Sequence, residues 1–205
     1  MPPNDSNLSN QLNLQEQQRW NKRYSKNNKD PKVAKVLLEN QHLLSSQGEA
    51  LEIACGMGGN ALFLAKHGYD VTAWDISDVA IGQLDIISQK SGIKVTTEVR
   101  DIIANPPPVK CFDLIVVSRF FLEQEMSVVL INALKPGGLL FYQTFTQTKV
   151  TEIGPSNPEF RMHDNQLLQN FNKLQILVYR EEGIVGDISQ GFRDEAMLVG
   201  QKVEQ

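Results

Sequence analysis

A short apolar run that breaks into small residues and then resumes at helical spacing constrains this chain more than any other feature. Ala50-Leu51-Glu52-Ile53 runs into Ala54-Cys55-Gly56-Met57-Gly58-Gly59, apolar residues return through Leu62 and Ala65, and a second run, Val71-Thr72-Ala73-Trp74-Asp75, follows. Residues that tolerate unusual backbone angles between two such patterns predict a strand, a glycine turn and a helix start. A turn of this kind lets a ligand approach the backbone and aims unpaired helix N–H groups at it. An acid ending the next strand, here Asp75, can accept hydrogen bonds from ribose hydroxyls. The turn is therefore expected to hold a nucleoside cofactor.

The rest of the chain supplies a scaffold for such a site. Strands are expected at 70–75, 94–99, 112–118 and 139–145. A helix capped by Ser77 runs to Gly92, and another runs from Leu122 to Leu134 and stops at Lys135-Pro136-Gly137-Gly138. Leu114-Ile115-Val116-Val117 is apolar throughout, which marks a strand buried on both faces. Alternating strands and helices predict a parallel sheet, and the last two strands, 174–180 and 196–203, read as an antiparallel pair closing its edge. Residues 1–10, mostly Asn, Ser and Pro, are expected to be a disordered tail before a single domain, 11–205, whose first part, 11–46, is a helical lid or cap. Within that part a polar helix spans 12–24, and Asp30-Pro31 reads as the start of a second helix with a buried face of Val33, Ala34, Leu37, Leu38 and Leu44.

Twenty Lys and Arg against 24 acids give a net charge of −4, which argues against nucleic acid or anionic membrane as a partner and favours small or neutral ones. The first residues lack the pattern of a targeting signal and no apolar run is of membrane-spanning length, so a cytoplasmic protein is expected. Cys55 and Cys111 flank buried strands, so neither a disulfide nor a metal site is assigned.

Gly56-x-Gly58-x-x-Ala61 satisfies the dinucleotide fingerprint, so glycine spacing alone leaves an NAD-dependent oxidoreductase open. Glu52 points away from it: an acid ending the first strand would repel a pyrophosphate and favour a cationic cofactor. Asp101, after the third strand, can accept from an adenine amino group. Glu52, Asp75 and Asp101 thus end three successive strands, the edge where open α/β sheets bind ligands.

Glu-x-Ala-Cys-Gly-x-Gly-Gly-Asn-Ala-Leu, Val-Thr-Ala-Trp-Asp-Ile-Ser, Arg-Asp-Ile, Phe-Asp-Leu-Ile-Val-Val and Leu-Lys-Pro-Gly-Gly-Leu-Leu resemble, in order, the motif series of class I S-adenosylmethionine-dependent methyltransferases over residues 48–146. Trp20-Asn-Lys-Arg23-Tyr24 and Gly154-Pro-Ser-Asn-Pro158-Glu-Phe160 resemble the bacterial branch that includes tellurite-resistance and thiopurine-type enzymes. The resemblance implies an α/β, Rossmann-like, seven-stranded, mostly parallel sheet with helices on both faces and an antiparallel C-terminal strand. It implies S-adenosylmethionine as cofactor, with Ala54 to Gly58 around its methionine part and Glu52 orienting its ammonium. Asp75 would hold the ribose, Ile76 would pack on adenine, Asp101 and Ile102 would read its edge, and Ser118 would line the methyl-sulfonium region. Ala54 stands where the wider class usually has glycine.

Methyl transfer from a sulfonium needs alignment and a water-poor cavity more than a dedicated base. If the acceptor must lose a proton, His163 and Arg119 are the weak candidates, with Phe120 and Phe121 as an acceptor wall. Trp20, Arg23 and Tyr24, on one helical face, are expected to meet the cofactor from the lid, Arg23 pairing with its carboxylate while Trp20 and Tyr24 exclude water from the sulfonium. The acceptor expected is a small molecule, a sulfur, selenium or tellurium species or another metabolite. A non-catalytic domain that keeps the cofactor pocket for regulation is the alternative outside enzymes.

Overall fold

The structure, a computed structural model, describes the backbone of residues 5–27 and 29–203 and the side chains of 13–27 and 29–203. Its elements are α1 (Asp5–Tyr24), α2 (Lys35–Glu39), β1 (Gly48–Ile53), α3 (Gly59–Lys66), β2 (Tyr69–Asp75), α4 (Asp78–Ser91) and β3 (Thr96–Val99). They continue with β4 (Phe112–Ser118), α5 (Gln124–Ala133), β5 (Leu134–Phe145), α6 (Gln166–Asn170), β6 (Gln175–Arg180) and β7 (Glu195–Gln201).

The strands form one seven-stranded sheet in the order β3-β2-β1-β4-β5-β7-β6. β1 pairs in parallel with β2 and β4, β2 with β3, and β4 with β5, whereas β7 runs antiparallel to both neighbours, β5 and β6. The expected architecture is therefore present, reversed strand included. The chain builds outward from β1 to β3 and then crosses to β4, on the other side of β1. That reversal of order puts the topological switch point, the place where open α/β sheets bind ligands, at the C-terminal ends of β1 and β4.

Alternation along the central strands splits the core between the two faces. Leu51, Ile53, Ile115, Val117, Leu140 and Tyr142 pack with α5, α6 and Phe171. Ala50, Leu114, Val116 and Phe141 pack with α2, α3 and α4. Ser77 caps α4 by accepting from the Ala80 N–H at 3.1 Å, and Gly92 ends it in the left-handed region, as the sequence suggests. No helix among the described residues is long and apolar enough to cross a membrane.

The N-terminal part departs from expectation. Of the tail at 1–10, residues 1–4 lie outside the described residues, and the backbone from Asp5 is already the first turn of α1. Asp30-Pro31 does not start a helix. The backbone enters α2 only at Lys35, from an extended Ala34 without a side-chain cap, and Gln41–Leu43 adds one 3-10 turn. Two distant side chains hold this stretch: Asn60 Oδ1 accepts the Ala34 N–H at 2.8 Å just before α2, and Gln143 Oε1 accepts the Val36 N–H at 2.9 Å in its first turn. The Ala34 amide, satisfied from outside, needs no helical partner, and the backbone there is extended. β5 also begins earlier than expected and takes in Lys135-Pro136-Gly137-Gly138, with a register shift against β4 between Phe112 and Leu114.

Candidate cofactor site

The turn after β1 carries left-handed backbone at alternate residues: Ala54 at φ +52°, Gly56 at φ +53° and Gly58 at φ +74°. Gly58 N–H closes it on the Cys55 carbonyl at 2.9 Å, and Cys55 N–H ties it to the Trp74 carbonyl of β2 at 2.9 Å. Each glycine is needed for a different neighbour. A β-carbon on Gly56 would lie 2.6 Å from the Tyr24 hydroxyl, one on Gly58 would lie 2.3 Å from Leu84 of α4, and one on Gly59 would lie 2.3 Å from the Lys32 carbonyl. Gly58 is thus required by helix packing, and Gly56 is the point where α1 meets the turn. Ala54 keeps its β-carbon in a conformation that costs an L-residue about 1 kcal/mol or more.

The acids expected at three strand ends have different tasks. Glu52 is buried, and both of its oxygens serve the start of α3: Oε1 accepts from Asn60 Nδ2 at 2.8 Å and Oε2 from the Ala61 N–H at 2.7 Å. It holds the start of α3, a scaffold role in addition to the ammonium contact that the resemblance implies. Burial pushes its carboxyl up to about 8, even though both hydrogen bonds pull the other way. Asp75 accepts from the Gly56 N–H at 2.7 Å through Oδ2 and from the Ser77 N–H at 2.8 Å through Oδ1. It couples the glycine turn to the start of α4, and its burial also raises its pKa.

Asp101 holds its own turn, Oδ1 accepting from the Ile103 N–H at 2.8 Å. It also lines a groove of about 440 Å3 between α1 and the ends of β2 and β3, together with Ile76, Val99, Leu14 and Gln17. Asp101 and Ile76 therefore line one groove. Ile102 does not join them: its side chain is buried in the α5-side core with Trp74 and Phe112.

α1 roofs this region. Asn21 grips the start of α4 twice, its Nδ2 donating to Asp78 Oδ1 at 2.5 Å and its Oδ1 accepting from Ser77 Oγ at 2.6 Å. Asn27 Nδ2 lies 3.2 Å from Met57 Sδ, over the turn. Trp20 and Tyr24 stack at 6.0 Å, and Arg23, exposed, lays its guanidinium on Trp20 at 5.2 Å. From α1, Leu14 and Gln17 line the groove, Asn21 holds the start of α4 and Tyr24 reaches the glycine turn; of these the sequence singled out Tyr24. Asn21 lies one helical turn before Tyr24, which was the available signal for it. Burial and the nearby Asp75 raise the Tyr24 phenol well above the usual range.

On the other side of the crevice, Ser118 ends β4, half-buried and opposite Gln143. Arg119 follows at φ +55° and donates from Nε to Glu195 Oε1 at 2.6 Å. Phe121 meets Phe160 edge-to-face at 6.5 Å, and Arg19 reaches to 6.0 Å from the Phe160 ring, so α1 and the two loops converge on one aromatic contact. Phe120 supplies its carbonyl to the buried Tyr142 hydroxyl at 2.8 Å. His163 is exposed on the loop surface, its ring 3.5 Å from the Gln147 side-chain amide, and it joins none of these groups. The loop is turned that way by Arg161, whose buried guanidinium donates to the carbonyls of Thr146, Ile153 and Pro155.

With this geometry in view, similarity to known proteins is informative. The chain is 29% identical over 140 residues to a Haemophilus influenzae protein named a probable S-adenosyl-L-methionine-dependent methyltransferase TehB, covering 65% of this chain and 48% of the relative. The chain spans about half the length of the curated relatives it matches. The crystal structure of TehB from Haemophilus influenzae superposes with a TM-score of 0.67 at 22% identity, over 89% of this chain and 67% of that one. A SAM-dependent methyltransferase structure from Methanosarcina mazei superposes with a TM-score of 0.65 at 18% identity, over 85% and 100% of the two chains. These likenesses establish a shared fold. The family model described as tellurite resistance protein TehB matches residues 12–195, and the chain belongs to that family.

Proposed function

We propose that the chain is a methyltransferase that uses S-adenosylmethionine and moves its methyl group to a small-molecule acceptor by in-line displacement. The observation that carries this reading is the alignment of Asp75 on the glycine turn with the Ile76–Asp101 groove along the ends of β2 and β3. The fit to the cofactor is chemical as well as spatial. Ile76 and Val99 give the groove apolar walls for a base, Asp101 offers an acceptor for an exocyclic amine, and Asp75, bonded to the turn and to the Ser77 N–H, would meet the ribose between them. Names of relatives agree with this reading.

Bound there, the cofactor supplies an electrophilic methyl on a sulfonium whose positive charge disappears as the methyl leaves. The chain's own contribution is placement and dryness. Asp75 and Asp101 fix the nucleoside, the turn fixes the chain beyond it, and the α1 roof with Trp20 and Tyr24 keeps water away. His163 stands outside the crevice, so acceptors that attack as preformed soft anions are favoured over alcohols. A test is to incubate the full chain with S-adenosylmethionine and a panel of thiol and selenol acceptors and to measure S-adenosylhomocysteine. Acceptor-dependent product is expected, and cofactor binding without turnover on any acceptor would favour a regulatory domain.

A further inference from the structure

Arg119 is fixed in the manner of a receptor. Its backbone sits at φ +55°, a conformation that a β-carbon disfavours, and its N–H is pinned to the Gln143 carbonyl at 2.7 Å. Its guanidinium is held on two sides. Nε donates to Glu195 Oε1 at 2.6 Å, Nη2 lies 3.5 Å from Oε2, and the face rests on the Phe145 ring, 5.6 Å from its centre. Glu195 is itself buried and accepts from Gln143 Nε2 at 2.9 Å, and Gln143 in turn accepts the Val36 N–H.

This carboxylate takes the side-on edge of the guanidinium, Nε with Nη2. The end-on edge, Nη1 with the outer hydrogen of Nη2, has no hydrogen-bond partner among the described residues, and the Arg119 side chain is 56% exposed. An exposed arginine ordinarily loses much rotamer entropy on binding an anion. Here that entropy is already lost to Glu195 and Phe145, and two parallel N–H groups face outward in the geometry that matches an oxyanion. The backbone of Arg119 follows Ser118 at the end of β4, and its guanidinium lies beside Phe145 at the end of β5 and Glu195 at the start of β7.

We propose that the end-on edge of Arg119 is a binding subsite for an oxyanion group carried by the acceptor. The inference rests on and deepens the proposed function: Arg119 binds the anionic end of the acceptor while its nucleophilic atom faces the cofactor.

Sulfate is a suitable inert probe, added to the full chain saturated with S-adenosylhomocysteine. The Nε–H signal of Arg119, assigned by NMR through its disappearance in Arg119→Gln, is expected to shift with sulfate and not with chloride at the same ionic strength. Calorimetry is expected to show sulfate binding weakened about tenfold or more in Arg119→Gln, and retained or strengthened in Glu195→Gln, which removes the internal counter-charge. If Arg119→Gln fails to fold, Arg119→Lys keeps the charge without the fork and is expected to weaken sulfate binding several-fold. Equal shifts with chloride, no shift, or unchanged sulfate affinity in both Arg119 variants would show that the pair with Glu195 is merely structural. Sulfate binding that persists while S-adenosylhomocysteine fails to bind would refute the proposed function and leave the subsite standing.

Discussion

The hydroxyl of Tyr24 stands 2.6 Å from the point that a β-carbon on Gly56 would occupy, so the roof helix and the glycine turn are in direct contact. Gly56→Ala is expected to destabilise the protein by about 2 kcal/mol, from the positive φ and from displacement of the phenol. The two sources are separable. In a Tyr24→Ala background the same substitution should cost less, with a coupling of about 0.5–1.5 kcal/mol in a urea-denaturation double-mutant cycle. Strictly additive costs would mean that the phenol leaves the turn without consequence.

Asn21 latches α1 to the start of α4 through Ser77 and Asp78. None of the described side chains of α1, residues 13–24, is fully buried, so a large part of its docking rests on this latch. Hydrogen exchange of residues 13–24 is expected to slow when S-adenosylhomocysteine is added, and Asn21→Ala is expected to speed exchange there in the free protein. Equal protection with and without ligand would identify α1 as a permanently packed helix.

The buried carboxyl of Glu52 gives stability a definite pH dependence. Its value rises from an ordinary 4.5 to about 8 in the folded chain, and Asp75 shifts in the same direction. The folded state then holds protons that the unfolded state has released. The contribution is full below about 4.5, declines as pH rises through the window to about 8, and is constant above it. Glu52→Gln should flatten that decline in denaturation midpoints measured across the window. Parallel pH profiles for the two proteins would place the proton elsewhere.

Much of this was legible in the sequence, for reasons that differ by residue. The strands could be read because their pattern reports burial directly: Leu114 to Val117 is buried on both faces as its apolar run requires. Asp75 and Asp101 were readable because an acid closing a strand has few places to be except the sheet edge. Glu52 could be placed at the end of the first strand, but its contacts with the Asn60 side chain and the Ala61 N–H could not be read, because only the folded start of α3 brings those donors to it. The later start of the second helix was not legible because the Ala34 amide before it is held by Asn60, 26 positions away. The surface position of His163 could not be read, because nothing local reveals how Arg161 turns its loop.

Ala54 offers a test in which the usual sign reverses. At φ +52° alanine pays about 1–2 kcal/mol that glycine does not, while glycine loses about 0.5–1 kcal/mol more chain entropy on folding. Ala54→Gly is therefore expected to raise the midpoint of thermal unfolding by about 1–2 °C, where alanine to glycine in ordinary backbone lowers it. A clear fall in midpoint would mean that the turn is not left-handed at this position.

The claim that the glycine turn and the Ile76–Asp101 groove hold S-adenosylmethionine is tested most directly by titration calorimetry of the full chain with S-adenosylhomocysteine, with NAD as the comparison. One-site binding of S-adenosylhomocysteine is expected, with no heat from NAD, and with affinity about ten- to a hundredfold weaker in a folded Asp75→Ala variant. No binding of S-adenosylhomocysteine to the wild type, or equal affinity in the wild type and the Asp75 variant, would contradict the assignment of the site.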